Sequence, residues 1–444
     1  MHRLLSPEFP VRPKTFPFYY GWVALGIAIL GMLASAPGQT IGFSVFTDSL
    51  MAASHLSRLE LCTAYFLGTM GSSFMLKWVG RVYDRYGGRI LMISSGLGLG
   101  VMLFIFSNLD KYFSFLLVNK VPAFFPIAML SMTIGFFGMR FMGQGVLMLT
   151  SRNLIGKWFL KRRGLVSAFS GLSISVGFAL VPPTFLFLIN RYGWSASYQI
   201  LSLVLFVVVF LGWTFYRDNP EECGLRIDGS KVIDADPSRG VQSRVDMEGV
   251  SLAEAKKSMA FWSTCLGMAL HGLTITAISF HIIDIARLAQ VGKDDAISIF
   301  IPIAFVSGVS DLISGWLADR YPLKYVLSFM MAGAFLGYTS IAFFNHNLAF
   351  GLAILGIGIS NGCYGTLSNV AMPHFFGRKY LGEISGYMLA CLVFATSLGP
   401  IYFAICSHFF NSYAPAMVLA GFAGLINMTL ALQINTKYGP INQR

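Results

Sequence analysis

The amino-acid sequence predicts an all-α integral membrane protein of twelve transmembrane helices, arranged as two pseudo-symmetric six-helix bundles. Three observations carry this reading: an apolar, charge-poor composition, twelve apolar runs of membrane-crossing length, and a weak internal repeat. Of 444 residues, 55% are hydrophobic and only 12% charged. Soluble domains carry about 25% charged residues, so this chain cannot cover a water-facing surface. Its 40 Phe and 46 Gly suit lipid-facing walls and closely packed membrane helices.

A helix needs about 20 apolar residues to cross a bilayer. Spans 1 to 12 are read at 19–48, 59–76, 90–107, 122–150, 164–189, 194–215, 260–286, 296–317, 325–343, 347–371, 382–406 and 413–434. The runs are continuous rather than alternating, which argues against a β-barrel. Residues 217–259 form the one long polar stretch, with Pro, Gly and mixed charge. Such a stretch cannot bury a core. The expected organisation is therefore a bundle over 1–216, a cytoplasmic linker over 217–259 and a second bundle over 260–444. The end of the linker, "SLAEAKKSMAFW", reads either as a short amphipathic helix at the membrane surface or as solvated chain.

The halves repeat. "GRVYDRYGGR" after span 2 returns as "GWLADRYPLK" after span 8, so Asp84-Arg85 answers Asp319-Arg320. "KWFLKRRGLVSAFSG" after span 4 returns as "HFFGRKYLGEISG" after span 10, where Trp158-Phe159 answers Phe375-Phe376. The two offsets differ by 18 residues, which places an insertion at "NLDKYFSFLLVNKVPAFF" between spans 3 and 4. Paired six-span repeats with a ligand site between them near the midplane describe many secondary transporters.

The net charge of +12 is a topology signal rather than a nucleic-acid footprint. Arg58, Lys111, Lys120, Arg191, Arg287 and Lys293 fall in one set of loops, and Arg140 falls inside a span. The remaining Lys and Arg sit in the N-terminus, the even-numbered loops and the C-terminus. The positive-inside rule then puts both termini in the cytoplasm of a multi-pass protein of the cytoplasmic (inner) membrane. The six Cys show neither disulfide nor metal spacing. The first apolar run is longer than a signal h-region, and no cleavable signal is expected.

Gly80-x-x-x-Asp84-Arg85-x-Gly87-Gly88-Arg89 resembles the signature loop of the major facilitator superfamily, and Gly315, Asp319 and Arg320 echo it. In physical terms, Gly lets helices approach, while Asp can accept from an exposed helix end and pair with Arg as a cytoplasmic gate. "FYYGWVAL", "GMRFMGQG", "KWFLKRRGLVSAFSG", "RDNPEECGL" and the Phe280-His281 pair resemble the monocarboxylate and oxalate–formate branch. That resemblance implies carboxylate transport. It departs in one respect. The branch often holds carboxylates with a Lys in span 1 or 11 and an Arg in span 8. Spans 1 and 11 have no Lys here, and span 8 has Asp311 and no Arg.

Arg140 is the only cation deep in a span. A central charge costs at least ~2.5 kcal/mol on insertion scales, so Arg140 must face a cavity or a partner. It reads as a bidentate carboxylate receptor, or as a staple from span 4 to the carbonyls of span 1 or 2. Asp311 is the only carboxylate deep in span 8. Burial disfavours its charge, so it reads as the proton carrier, as a partner of Arg140, or as support for Asp319. His271 and His281 in span 7 lie about 15 Å apart along a helix, too far for one metal. Each reads as a proton relay or as a hydrogen-bonded packing residue.

Pro37-Gly38 is expected to break span 1 and free backbone groups near Gln39. Asn361 and Tyr364 in span 10 sit near the counterpart of Arg140, and Gln144 lies four residues after it. These polar groups read as ligand contacts or as interhelical hydrogen bonds. Pro182-Pro183 and Gly399-Pro400 read as flexing points. No phosphate-cradling loop appears, so no enzyme, cofactor or metal is expected. The sequence therefore points to a monomeric, proton-coupled secondary transporter of a small organic anion. The alternatives are a proton-driven exporter of cationic or amphipathic compounds and a membrane sensor without flux.

Overall fold

The computed structural model describes residues 6–121, 123–160, 162–229, 249–290, 299–343 and 347–434, and nothing but helices and loops occurs among them. Much of the linker, 230–248, lies outside the described residues, as do the start of span 8 and Lys293. Among the described residues, ten helices are long and apolar enough to cross a membrane by length and composition alone. Arg58–Tyr86 and Leu323–Ile341 complete the twelve. The first of these is less apolar, with Thr63, Thr69, Ser72 and Ser73 along it and charged residues towards both ends.

The chain divides into two compact units. The first holds Met1–Trp158 with Val176–Lys231, and the second holds Phe159–Ser175 with Val232–Arg444. The helix of span 5, Arg163–Tyr192, thus contributes its first part to one unit and the rest to the other.

In the first unit, span 1 is broken as Pro37-Gly38 leads one to expect. A helix Gly21–Ala34 is followed by a 3₁₀ turn Ala36–Gly38, a turn Thr40–Phe43, a 3₁₀ turn Ser44–Phe46 and a helix Thr47–Ser54. Gln39 between the first two turns is extended, with φ −95° and ψ 157°. Span 2 begins with a capping box, in which Ser57 and Glu60 satisfy one another's backbone N–H. Span 3 is Gly88–Phe106. The inserted stretch supplies an additional helix, Leu109–Val118.

Span 4 runs to Trp158, further than the apolar run suggests. It consists of Phe124–Met139, a π-helical stretch Arg140–Leu147 and Met148–Trp158. Span 6 is Trp194–Phe215. In the second unit, spans 7 to 12 are Met259–Leu288, Phe300–Ala318, Leu323–Ile341, Asn347–Phe376, Leu381–Phe410 and Ala414–Leu432. Within "SLAEAKKSMAFW", Leu252–Ala255 form one capped helical turn, and from Met259 the chain is already in the helix of span 7.

Two buried arginines tie the N-terminal segment onto the first unit. Arg217 donates to the carbonyls of Pro7 (2.7 Å), Phe9 (2.9 Å), Val11 (2.9 Å) and Tyr216 (2.8 Å). Arg89 donates to Ser6 (3.1 Å), Phe9 (2.9 Å) and Trp213 (3.0 Å). The Asp218 carboxylate accepts from the N–H of Gly88 and Arg89 at the start of span 3, where the helix dipole favours an anion. Gly87, at φ +85°, makes the turn between spans 2 and 3, a conformation that L side chains avoid. Arg217→Met removes four donated hydrogen bonds, and of the four carbonyls Phe9 keeps Arg89 as a donor. The substitution is expected to cost about 1–3 kcal/mol of stability and to loosen the N-terminal segment so that trypsin cuts faster after Lys14; thermal unfolding and limited proteolysis in detergent measure both.

Candidate functional site

The first unit gathers polar groups around Arg140, which is 4% exposed. The break in span 1 frees the Gly38 carbonyl, and Arg140 Nη1 donates to it at 3.4 Å and to Thr40 Oγ1 at 3.3 Å. Thr40 Oγ1 in turn shares a 2.8 Å hydrogen bond with the Tyr65 hydroxyl. The guanidinium carbon lies 5.4 Å from the centroid of the Tyr65 ring, within range of a cation–π contact. Arg140 therefore links spans 4, 1 and 2.

Span 1 approaches span 4 so closely that a Cβ on Gly38 would sit 2.5 Å from the Met139 carbonyl oxygen. The π-helical stretch begins at Arg140 itself, and such stretches are frequent at functional sites. Only Nη1 of Arg140 is bonded. Nε is buried without a hydrogen-bond partner, and no bond from Nη2 is found. Among the described residues no carboxylate pairs with Arg140. Gln144, four residues on, has its Oε1 buried without a partner. Gln39 turns to its own segment and donates from Nε2 to Ser35 Oγ at 3.1 Å.

The second unit holds several polar clusters. His271, buried in span 7, contacts Ser360 Oγ and the Tyr338 hydroxyl through Nδ1, each at 3.0 Å. Its ring stacks on Tyr364 at 4.7 Å, with Asn361 as a further side-chain partner. The structure thus brings His271, Asn361 and Tyr364 together, although the sequence suggested separate roles for them. His281 belongs elsewhere. Its Nε2 meets the Pro400 carbonyl at 3.0 Å, and its Nδ1 meets the Tyr413 hydroxyl at 3.3 Å. A carbonyl only accepts, so Nε2 carries the proton, and in the neutral ring Nδ1 accepts from Tyr413.

Asp311 is buried in span 8. Its Oδ1 accepts from Thr366 Oγ1 at 2.6 Å, and Ser314 Oγ approaches the same hydroxyl at 2.9 Å. A Cβ added at Gly171 would collide with Oδ2, and one added at Gly365 would lie 3.1 Å from it. The carboxylate is therefore enclosed by the glycine faces of spans 5 and 10.

At the C-terminal end of span 8, Asp319 accepts from the N–H of Gly164 at 2.6 Å and of Leu165 at 2.9 Å. Those groups are unsatisfied donors at the start of the span 5 helix. Gly315 permits the approach, since a Cβ there would lie 2.5 Å from Ala168 Cβ. Arg320 lies over the Trp316 ring at 4.5 Å. In the matching loop of the first unit, Gly80 is buried, Asp84 half-buried and Arg85 exposed over the Tyr86 ring. Arg89, read from the sequence as part of a gate, has its guanidinium bound to the N-terminal segment and Trp213. A buried cation takes whichever carbonyls surround it.

Sequence reasoning missed Thr40 and Tyr65 beside Arg140, Ser360 and Tyr338 beside His271, and Thr366 beside Asp311. Each is a polar or aromatic group inside an apolar run, and that was the available signal. Many such groups simply bond their own helix, as Thr150 does to Val146, so the signal does not select.

The sequence matches the model of the Major Facilitator Superfamily over residues 23–400. It is 24% identical over 374 residues to YhjX of Escherichia coli, an uncharacterized MFS-type transporter, covering 82% of this chain and 83% of that one. It is 23% identical over 291 residues to mouse monocarboxylate transporter 10, covering 64% of this chain and 56% of that protein. The fold is similar to that of the proton:xylose symporter XylE bound to 6-bromo-6-deoxy-D-glucose. There the TM-score is 0.70 at 16% identity, with 95% of this chain and 97% of that one covered.

The Asp319 contact carries a pH dependence. Burial lifts its carboxyl above the ordinary 3.8, outweighing the two backbone donors and then Arg163 and Arg320, all of which pull it down. A raised folded-state value means that the native form holds the proton more tightly than the unfolded chain does. The associated stability is complete below the unfolded value and is lost as pH rises through the folded one. Relative to Asp319→Asn, the wild type is therefore expected to lose thermal midpoint as pH rises from about 4. A gap that moves in favour of the wild type over that range contradicts burial as the dominant cause.

Proposed function

The chain belongs to the major facilitator superfamily, and from that premise we propose that it moves a small, monocarboxylate-like organic anion by alternating access, coupled to a proton. The observation that carries this reading is the unused edge of Arg140. Nε–H and the neighbouring Nη2–H form the side fork of a guanidinium, the geometry that takes two carboxylate oxygens at once. Gly38, Thr40 and Tyr65 engage Nη1 or the ring face and hold that fork in place. Gln144, four residues on, keeps its Oε1 buried and without a partner among the described residues.

Asp311 is the proposed proton carrier. Its surroundings offer hydroxyls and glycine faces, and among the described residues no cation pairs with it. The enclosure by Gly171 and Thr366 also disfavours export of a cationic compound through this carboxylate, because an ammonium group needs room and donates to free lone pairs. His271 with Asn361 and Tyr364 is the proposed polar contact of the second half, and Gln39 acts through its own segment. Gly80, Asp84, Arg85, Gly87, Gly315, Asp319 and Arg320 are the proposed cytoplasmic gate, with both termini on that side of the inner membrane.

Uptake of labelled formate, acetate, lactate, pyruvate and oxalate into proteoliposomes, with and without an inward proton gradient, tests the reading. At least one is expected to accumulate only with the gradient. Arg140→Lys keeps the charge and loses the planar fork, and is expected to cut that uptake tenfold or more. Asp311→Asn is expected to abolish accumulation driven by the gradient. Intact uptake in Arg140→Lys rules out bidentate recognition, and gradient-driven uptake in Asp311→Asn rules out its coupling role.

A further inference from the structure

Resting on the reading of Asp311 as proton carrier, we propose that a polar seam within the second unit is the proton's route between Asp311 and the cytoplasmic end of span 8, with Asn369 and Ser167 as its relay residues. Three helices build it from small and polar residues at steps of three or four. Span 8 presents Asp311, Ser314, Gly315 and Asp319. Span 5 presents Gly164, Ser167, Ser170 and Gly171. Span 10 presents Gly362, Gly365, Thr366 and Asn369.

The contacts run in order. Asp311 Oδ1 accepts from Thr366 Oγ1 at 2.6 Å. One turn further along span 10, Asn369 Nδ2 donates to Ser170 Oγ at 3.2 Å. Ser170 is the neighbour of Gly171, the residue pressed against Asp311 Oδ2. One turn back along span 5 lies Ser167, and one turn beyond that lies Gly164, whose N–H is held by Asp319. The eight residues from Asp311 to Asp319 correspond to about 12 Å of helix rise.

Two atoms mark the seam as more than packing. Asn369 Oδ1 and Ser167 Oγ are buried and have no hydrogen-bond partner among the described residues. An unbonded buried polar atom costs about 1–3 kcal/mol, and bridging water is the usual remedy in a polar site. Both atoms belong to the same stretch of the seam, between the two carboxylates. Gly315 and Gly171 give the backbones their close approach, where larger residues would plug it. The titratable or charged groups that face the seam are Asp311 and Cys363 at its deep end, and Asp319, Arg163, Arg320 and His374 at the other.

The test uses deuterium as its probe and needs no substrate. In reconstituted protein moved into D₂O, the carboxylic acid band lost in Asp311→Asn reports the exchange of its proton. That band is expected to shift at least tenfold more slowly in Asn369→Leu, to recover to within about threefold in Asn369→Ser, and to slow in Ser167→Ala. Equal exchange rates in wild type and Asn369→Leu overturn the route and leave Asp311 as carrier. Absence of any Asp311 band across the pH range removes the carrier, and the route with it. An unchanged thermal midpoint in detergent shows that Asn369→Leu remains folded.

Discussion

In hydrocarbon no water replaces a lost hydrogen bond, so every polar group carried into the membrane must find its partner within the protein. The rest of this structure depends on that constraint. It makes the backbone helical wherever the chain crosses. It also governs the few places where the helix fails. Pro37-Gly38 interrupts span 1, and the Gly38 carbonyl so released is met by Arg140. The break and the buried cation answer one another, because each would be costly alone.

The same rule explains why the deep polar residues sit in clusters. Asp311 has Thr366 and Ser314. His271 has Ser360 and Tyr338. Asp319 has the free N–H groups that open span 5. Glycine appears beside each carboxylate because only a missing side chain lets a neighbouring helix come close enough to enclose it. Among the described residues satisfaction is incomplete at several buried atoms, Arg140 Nε, Gln144 Oε1, Asn369 Oδ1 and Ser167 Oγ among them, and the proposed ligand and proton roles draw on that unused capacity.

Much of the fold was legible in the sequence because lipid imposes a simple code. Apolar length gave the spans, and proline and glycine gave the break in span 1. Boundaries were less legible. Span 2 runs on to Tyr86 and span 4 to Trp158, since a helix continues past the hydrocarbon edge as long as its backbone bonds and packing hold. The inserted stretch was visible as extra residues, but its helix, Leu109–Val118, was not. The candidate site was half legible. A lone Arg140 or Asp311 in an apolar run announces itself through its desolvation cost. Tyr65, Thr366 and Arg217 do not, because their roles depend on what other segments bring near.

By itself, then, the sequence determined that this chain crosses a membrane many times, that it repeats, and which charged side chains are too costly to be idle. Composition and spacing encode those properties directly, since burial cost depends on residue type alone. Only the tertiary structure decided how each charge is accommodated. Arg140 keeps one edge of its guanidinium unbonded while Arg89 and Arg217 are filled with carbonyls. Asp319 caps a helix that begins 155 residues earlier in the chain. A guanidinium or carboxylate acquires its role from the geometry of donors and acceptors around it, and packing between distant segments sets that geometry.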